Sequence, residues 1–212
     1  SRSVYGLEEM ASDVVGLASG LGIRTFHAAG ISMGGMIAQV LAARYPESVL
    51  SLTSMSSATG NPRTGLGKFS AIWATIRPQS RLTSESGGVL DRFIRAMGSV
   101  SYERTDAEKR RLVRLMARNP GDPDGFRRQL LALLQSGDIR TQVSGIRVPT
   151  LVLHGLSDKL LPPRAGKETA DLISGARLEM IPRLGHDLPP ALGARYGRLM
   201  LENFSRAPSR EC

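Results

Sequence analysis

The pattern G-I-S-M-G at residues 30–34 constrains the fold of this 212-residue chain more than any other stretch. An apolar, strand-like run leads into it, and a run with helical character follows over residues 35–43. A serine between two glycines at a strand-to-helix junction is the G-x-S-x-G pattern of a nucleophile elbow, a sharp turn that exposes the serine hydroxyl above a sheet. Glycines there leave room for strained backbone and close packing. We therefore predict that Ser32 is a nucleophile.

Strand-like and helix-like segments alternate on both sides of this turn. Short apolar runs typical of buried strands, with helical periodicity between them, occupy residues 23–31, 49–55, 148–155 and 177–181. Such alternation predicts an α/β fold with a mainly parallel sheet and flanking helices. Ligands of such sheets gather at the carboxyl ends of the strands, so the other reactive groups should follow strands.

A helical insert interrupts this alternation. Residues 62–140 are mostly helical in pattern and separate the second strand from the third, so we predict a core of residues 1–61 and 141–212. The net charge of +9 raises nucleic acid as a partner, but 15 of the 28 basic residues lie in the insert, at helical spacing beside leucines. This spacing indicates solvated helix faces, and no nucleic-acid-binding motif accompanies it. We predict no nucleic-acid partner.

The remaining composition favours a cytoplasmic protein. Cys212 is the single cysteine, so no intrachain disulfide and no cysteine-based metal site can form. No apolar segment resembles a signal peptide or a membrane span. We expect no cofactor and no metal.

A nucleophilic serine needs a general base and a group that orients it. Three histidines are candidates. His27 lies inside the first strand and His154 at the end of the third, where a local structural hydrogen bond is the preferred interpretation. Only His186, in a glycine-bearing loop after the fourth strand, has the position expected of the base.

The acidic member should lie between the serine and the histidine in chain order. Asp158 follows the third strand and meets this expectation. Asp187 competes with it, but a side chain adjacent to a histidine usually points away from its ring. The sequence thus predicts a Ser32, Asp158, His186 triad, with the backbone N–H of Met33 as one oxyanion donor.

Three motifs in this order resemble the α/β-hydrolase superfamily: the G-x-S-M-G-G elbow, the H-G-x-x-D-x-x-x-P loop at residues 154–162, and a G-H pair near the end. Residues 7–60 resemble its esterase and methylesterase-like group. The resemblance implies that residues 62–140 form a helical cap, in which Phe69, Trp73, Phe93 and Met97 line a pocket or pack the lid. It also implies a serine hydrolase that cleaves small-molecule carboxylic esters through an acyl-enzyme.

The resemblance breaks down before the elbow. The usual N-terminal strands, and the loop that supplies a second oxyanion N–H, have no counterpart upstream of Ser32. The first strand is therefore expected at a sheet edge, which invites pairing with a second copy of the chain or cover by another segment. Two other functions stay open: a weakly active or non-catalytic binding module, and a C–C hydrolase or acyltransferase of the same fold.

Overall fold

The computed structural model describes residues 5–65, 96–99, 101–102, 104–118 and 123–208. Within these ranges four parallel strands form one sheet, in the order β1 (Phe26–Ile31), β2 (Val49–Met55), β3 (Thr150–Gly155) and β4 (Arg177–Ile181). The helices are α1 (Leu7–Gly20), α2 (Met33–Arg44), α3 (Asp106–Arg118), α4 (Pro123–Ser136), α5 (Arg140–Val143), α6 (Pro163–Leu172) and α7 (Gly193–Phe204), and a short 3₁₀ turn (Pro190–Leu192) precedes α7. The predicted α/β fold class is confirmed.

Helices cover both faces of this sheet. On one face α2 contacts β1 and β2, α6 contacts β3 and β4, and α1 packs on α2, with Val40, Leu52 and Val143 in the shared core. On the other face α7 contacts β2 and β3 over a second core that includes Leu153 and Leu199. All six residues of β3 are buried, as expected for a parallel strand covered on both sides.

The first strand begins later than the sequence suggests, because α1 ends in a Schellman motif. Gly22 has a positive φ of 74°, which glycine adopts without steric cost. Its N–H donates to the Ser19 carbonyl at 3.0 Å, and the Ile23 N–H donates to the Ala18 carbonyl at 2.8 Å. Since Ile23 closes the helix, β1 starts at Phe26 rather than at residue 23.

In the described sheet β1 lies at the edge, paired with β2 alone. The edge position agrees with the expectation from the sequence, whereas oligomerisation through it stays a prediction. The described helices include none that is long and apolar enough to cross a membrane.

The chain leaves the core after β2 and returns before α5 at neighbouring points. The Ile139 N–H donates to the Thr59 carbonyl at 2.8 Å. Beside this bond lie Gly60 and Gly137, both with positive φ, and a Cβ atom on Gly60 would collide with the Gly137 carbonyl. This four-residue contact is called the stem below. It forms the base of residues 62–140, whose identity as a cap stays a prediction.

A carboxylate on α6 fixes the first segment beyond the stem. Glu168 accepts hydrogen bonds from Thr59 Oγ1 and Thr64 Oγ1, each at 2.7 Å, and from Asn61 Nδ2 at 2.5 Å. Burial opposes ionisation of Glu168, but these donors outweigh it and lower its pKa.

Part of the insert lies in the described ranges. Arg110, Arg111, Arg127 and Arg128 of α3 and α4 are exposed, in agreement with the predicted solvated faces. Phe69, Trp73 and Phe93 lie outside the described residues, so their predicted roles stay predictions.

Candidate active site

Ser32 occupies a strained turn between β1 and α2. Its φ of 56° and ψ of −123° correspond to the first central position of a type II′ turn, where glycine dominates. The Ser32 N–H donates to the Met55 carbonyl at 3.0 Å. Its carbonyl accepts from the Gly35 N–H at 2.9 Å and from Ser57 Oγ at 2.8 Å. Hydrogen bonds to the neighbouring strand and helix thus hold Ser32 in a backbone conformation that serine rarely adopts.

Gly30 and Gly35 are required by close packing, whereas a Cβ atom on Gly34 would meet nothing within 4 Å. A Cβ atom on Gly30 would lie 2.7 Å from the Gly35 nitrogen, and one on Gly35 would lie 2.6 Å from the Ser57 Cβ. Both distances are shorter than real Cβ contacts allow. The close packing that the glycine pattern predicts is therefore present at Gly30, but on the helix side it is found at Gly35 rather than at Gly34.

Met33 is the first residue of α2. The first N–H groups of a helix have no partner within the helix, and the helix dipole adds partial positive charge there. An anionic oxygen beside Ser32 would therefore meet a favourable electrostatic environment.

The other predicted site residues follow strands on the same edge of the sheet. The register pairs Ile31 of β1 with Met55 of β2, Met55 with Leu153 of β3, and Gly155 of β3 with Ile181 of β4. Ser32, Asp158 and His186 each come shortly after a strand of this set, and parallel strands end at a common edge.

Asp158 and His186 are in direct contact. His186 Nδ1 donates to Asp158 Oδ2 at 2.8 Å, and 9% of His186 is exposed. A carboxylate oxygen can only accept, so this bond places the proton on Nδ1 and leaves Nε2 free to accept one. Asp158 Oδ1 accepts from the backbone N–H groups of Leu160 and Leu161, both at 2.9 Å.

The His154 side chain bonds to the loop that carries Asp158. The ring is fully buried, and its Nε2 donates to the Leu161 carbonyl at 2.9 Å. The same nitrogen lies 3.7 Å from Asp158 Oδ2. Burial lowers the pKa of His154 despite the nearby carboxylate. The local structural hydrogen bond expected for His154 is present.

The two remaining candidates from the sequence, His27 and Asp187, have partners outside the Asp158–His186 pair. The ring of His27 stacks on Phe204 at 4.2 Å between centroids, and its Nδ1 lies 2.8 Å from Ser51 Oγ. Asp187 bonds to Ser99 and Arg104 rather than to the His186 ring. A cavity of about 330 Å³ between α1, α2, α4 and α5 has none of the candidate site residues in its lining.

Sequence comparison identifies the family. The profile of the alpha/beta hydrolase fold matches residues 1–189. The chain belongs to the α/β-hydrolase family. Rhodomycin D methylesterase DnrP of Streptomyces peucetius is 28% identical to this α/β hydrolase, over 89% of this chain and 70% of the relative. The 2-hydroxymuconate semialdehyde hydrolase of Pseudomonas putida is also 28% identical, over 94% of this chain and 69% of the relative.

A solved structure supports the fold assignment. The enol-lactonase of Burkholderia xenovorans superimposes with a TM-score of 0.75 at 22% identity, over 97% of this chain and 75% of that one. This α/β hydrolase therefore shares the fold of that enzyme.

Sequence reasoning missed several residues that shape the site. Ser57 bonds the Ser32 carbonyl, and Ser99 and Arg104 bond the loop that carries His186. Ser57 could have been suspected from its place just after β2, at the same sheet edge as the elbow. Ser99 and Arg104 gave no signal, because nothing local in the insert indicates which loop it contacts.

Proposed function

We propose that this α/β hydrolase cleaves carboxylic esters through an acyl-enzyme. The observation that carries the proposal is the strained backbone of Ser32, with φ 56° and ψ −123°, at the sheet edge where the His186–Asp158 pair also lies. Strain of this kind persists in proteins mainly where it has a function. A histidine with its Nδ1 proton on a buried carboxylate is the partner that a serine nucleophile requires.

The proposed reaction uses four groups. Ser32 Oγ attacks the ester carbonyl carbon while His186 Nε2 takes the hydroxyl proton. The Met33 N–H donates to the oxyanion that forms, as the first of the free N–H groups of α2. His186 then returns the proton to the leaving alkoxide, and water hydrolyses the acyl-enzyme by the same route. Asp158 holds the imidazole tautomer and stabilises its charged form.

Methyl esters are the substrate class that we propose. Relatives named rhodomycin D methylesterase and pimeloyl-[acyl-carrier protein] methyl ester esterase support this choice, at 28% identity each. Residues 62–140 are proposed to cover the site as a helical cap and so to set the acyl specificity. A cytoplasmic location stays a prediction.

One observation favours a second candidate. The 2-hydroxymuconate semialdehyde hydrolase relative is named for a compound whose name contains no ester. A carbon–carbon hydrolase with the same three residues is therefore the second candidate. It predicts turnover of 2-hydroxymuconate semialdehyde instead of methyl esters.

A labelling assay tests the proposal. A fluorophosphonate probe should label the wild type and fail to label Ser32→Ala. Hydrolysis of a p-nitrophenyl ester should fall by about 10³-fold or more in Ser32→Ala and by about 10⁴-fold in Asp158→Asn, which leaves the wrong tautomer. Asp171→Asn is the matched control, since Asp171 pairs with Lys167 on the exposed side of α6.

Two results would contradict the proposal. Equal labelling of the wild type and Ser32→Ala would place the nucleophile elsewhere. Absence of both labelling and turnover in a folded wild type would favour the non-catalytic binding module.

A further inference from the structure

The loop that carries His186 is held by residues from the insert, far away in the sequence. The His186 N–H donates to the Met97 carbonyl at 2.6 Å, and the Gly185 N–H donates to Ser99 Oγ at 2.7 Å. Asp187 Oδ1 accepts from both the N–H and the Oγ of Ser99, at 2.9 and 2.5 Å. Three consecutive loop residues are therefore bonded to two insert residues.

A buried ion pair reinforces this contact. Arg104 Nη1 lies 2.7 Å from Asp187 Oδ2, and the two side chains are only 8% and 11% exposed. Their geometry is that of an ion pair rather than an aligned hydrogen bond. Removing one partner of such a pair leaves a buried charge uncompensated, which is strongly unfavourable. The Tyr196 side chain is only 8% exposed, and its burial, followed by the charge of Asp187, raises the pKa of its hydroxyl.

The loop and the insert also approach each other too closely for side chains. A Cβ atom on Gly185 would lie 2.5 Å from the Gly98 carbonyl carbon and 2.6 Å from the Met97 oxygen. On its other side the loop is bonded to the core, because the Leu184 carbonyl accepts from the Ser157 N–H at 2.9 Å. The His186 backbone is thus fixed from both the core and the insert.

We propose that Met97, Ser99 and Arg104 form a clamp that sets the position of His186, with Asp187 as the positioning residue through which it acts. The inference rests on the proposed role of His186 as the general base. Asp158 fixes the imidazole ring through Nδ1, whereas the clamp fixes the backbone from which the ring projects. Nε2 has to reach the Ser32 hydroxyl, and a displacement of about 1 Å in such an arrangement can lower a rate about 100-fold.

The clamp gives the insert a second role besides covering the site. Because the clamp residues belong to the insert, a change in its placement moves the general base as well. The same contacts explain why Asp187, although adjacent to His186, does not compete with Asp158. The Asp187 carboxylate is bonded to Ser99 and paired with Arg104.

A double-mutant cycle tests the clamp. We expect Asp187→Asn and Arg104→Met each to lower kcat about tenfold to 100-fold, with little change in KM. The double variant should be no slower than the slower single variant, since both act on one unit. Arg104→Lys keeps the charge and should recover part of the loss. Ser99→Ala removes two bonds without removing a charge, and serves if the charge variants fold poorly. Asp171→Asn is the control.

The readouts separate this proposal from the proposed function. Fluorophosphonate titration counts active sites, so kcat is given per labelled Ser32 and a loss of folded protein does not mimic a loss of rate. A labelled wild type, together with Asp187→Asn and Ser99→Ala variants that keep the wild-type kcat per site, would overturn the clamp alone. A folded wild type that is not labelled would overturn the proposed function and the clamp with it.

Discussion

Replacing Ser32 by glycine should raise the stability of the protein, although it removes the proposed nucleophile. The φ of 56° and ψ of −123° are readily adopted by glycine but cost other residues about 1–3 kcal/mol. Glycine also gains more freedom in the unfolded chain, which reduces the benefit by about 0.4–1 kcal/mol. With both ranges taken at their centres, about 2 and about 0.7 kcal/mol, the net gain over a non-glycine residue is about 1.3 kcal/mol.

Ser32→Ala is the proper reference, because alanine removes the same hydroxyl and keeps the strain. Backbone bonds to Met55, Gly35 and Ser57 use only the N–H and carbonyl of residue 32, so both variants retain them. For a chain of this size the difference corresponds to a Tm about 3–5 °C higher for Ser32→Gly than for Ser32→Ala. Calorimetry and urea unfolding of both variants at the same pH measure it.

Equal stability of the two variants, or a less stable glycine variant, would refute the reasoning. It would mean that the surrounding hydrogen bonds do not force the residue into an unfavourable conformation. The tight turn would then be a relaxed feature of the fold, and strain could no longer be used to argue for a function of Ser32.

Two further variants test the packing and electrostatics of α6. Glu168→Gln should lose about 1–3 kcal/mol of stability at neutral pH, because the amide is a weaker acceptor than the carboxylate. The pKa of Glu168 is lowered in the folded state, so its contribution is present above the unfolded pKa of about 4.3 and is lost as the pH falls through the folded pKa. Urea unfolding of both proteins at decreasing pH should show the difference shrinking in acid, and a constant difference would exclude the mechanism. Gly166→Ala places a Cβ atom 2.6 Å from the Cγ of the buried His154 ring, and should cost about 1–3 kcal/mol. The control is Gly16→Ala on the exposed side of α1, where the added Cβ atom meets nothing within 4 Å. This variant should instead be more stable by about 0.5–1 kcal/mol in thermal unfolding. Equal effects of the two substitutions would show that the contact with His154 does not cause the loss of stability.

The parts of the fold that depend on local pattern were predictable from the sequence. The predicted bounds of β2 and β4 agree with the structure, because each is a short apolar run between clear turn signals. The start of β1 was predicted too early, since the pattern of Ile23 does not reveal that its N–H caps α1. The sequence predicts that the strands are parallel. It does not predict their order or register, because both depend on packing between distant segments.

The candidate site also has a part that was predictable from the sequence and a part that was not. Ser32, Asp158 and His186 could be selected because each follows a strand, and parallel topology brings strand ends together. Their roles stay proposals, whereas the Asp158–His186 contact is part of the structure. Ser99 and Asp187 are 88 residues apart, and their contact depends on how the insert lies over the loop. No periodicity or motif contains that information.

The stem at Thr59, Gly60, Gly137 and Ile139 makes the insert a replaceable part. Both ends of the insert meet at one hydrogen bond, so the chain between them starts and ends at a closed junction. The insert also packs on the core through α4, where the Leu7 N–H donates to Ser136 Oγ at 2.9 Å. Lengthening a connection that is already closed costs little, about 0.6 kcal/mol for each doubling of its length. We therefore expect inserts of different length and sequence to be exchangeable by grafting without refolding the sheet, provided that α4 and its contact with α1 are kept. A graft that omits the Ser99 and Arg104 contacts would fold on the same core and still lose the support of the loop that carries His186.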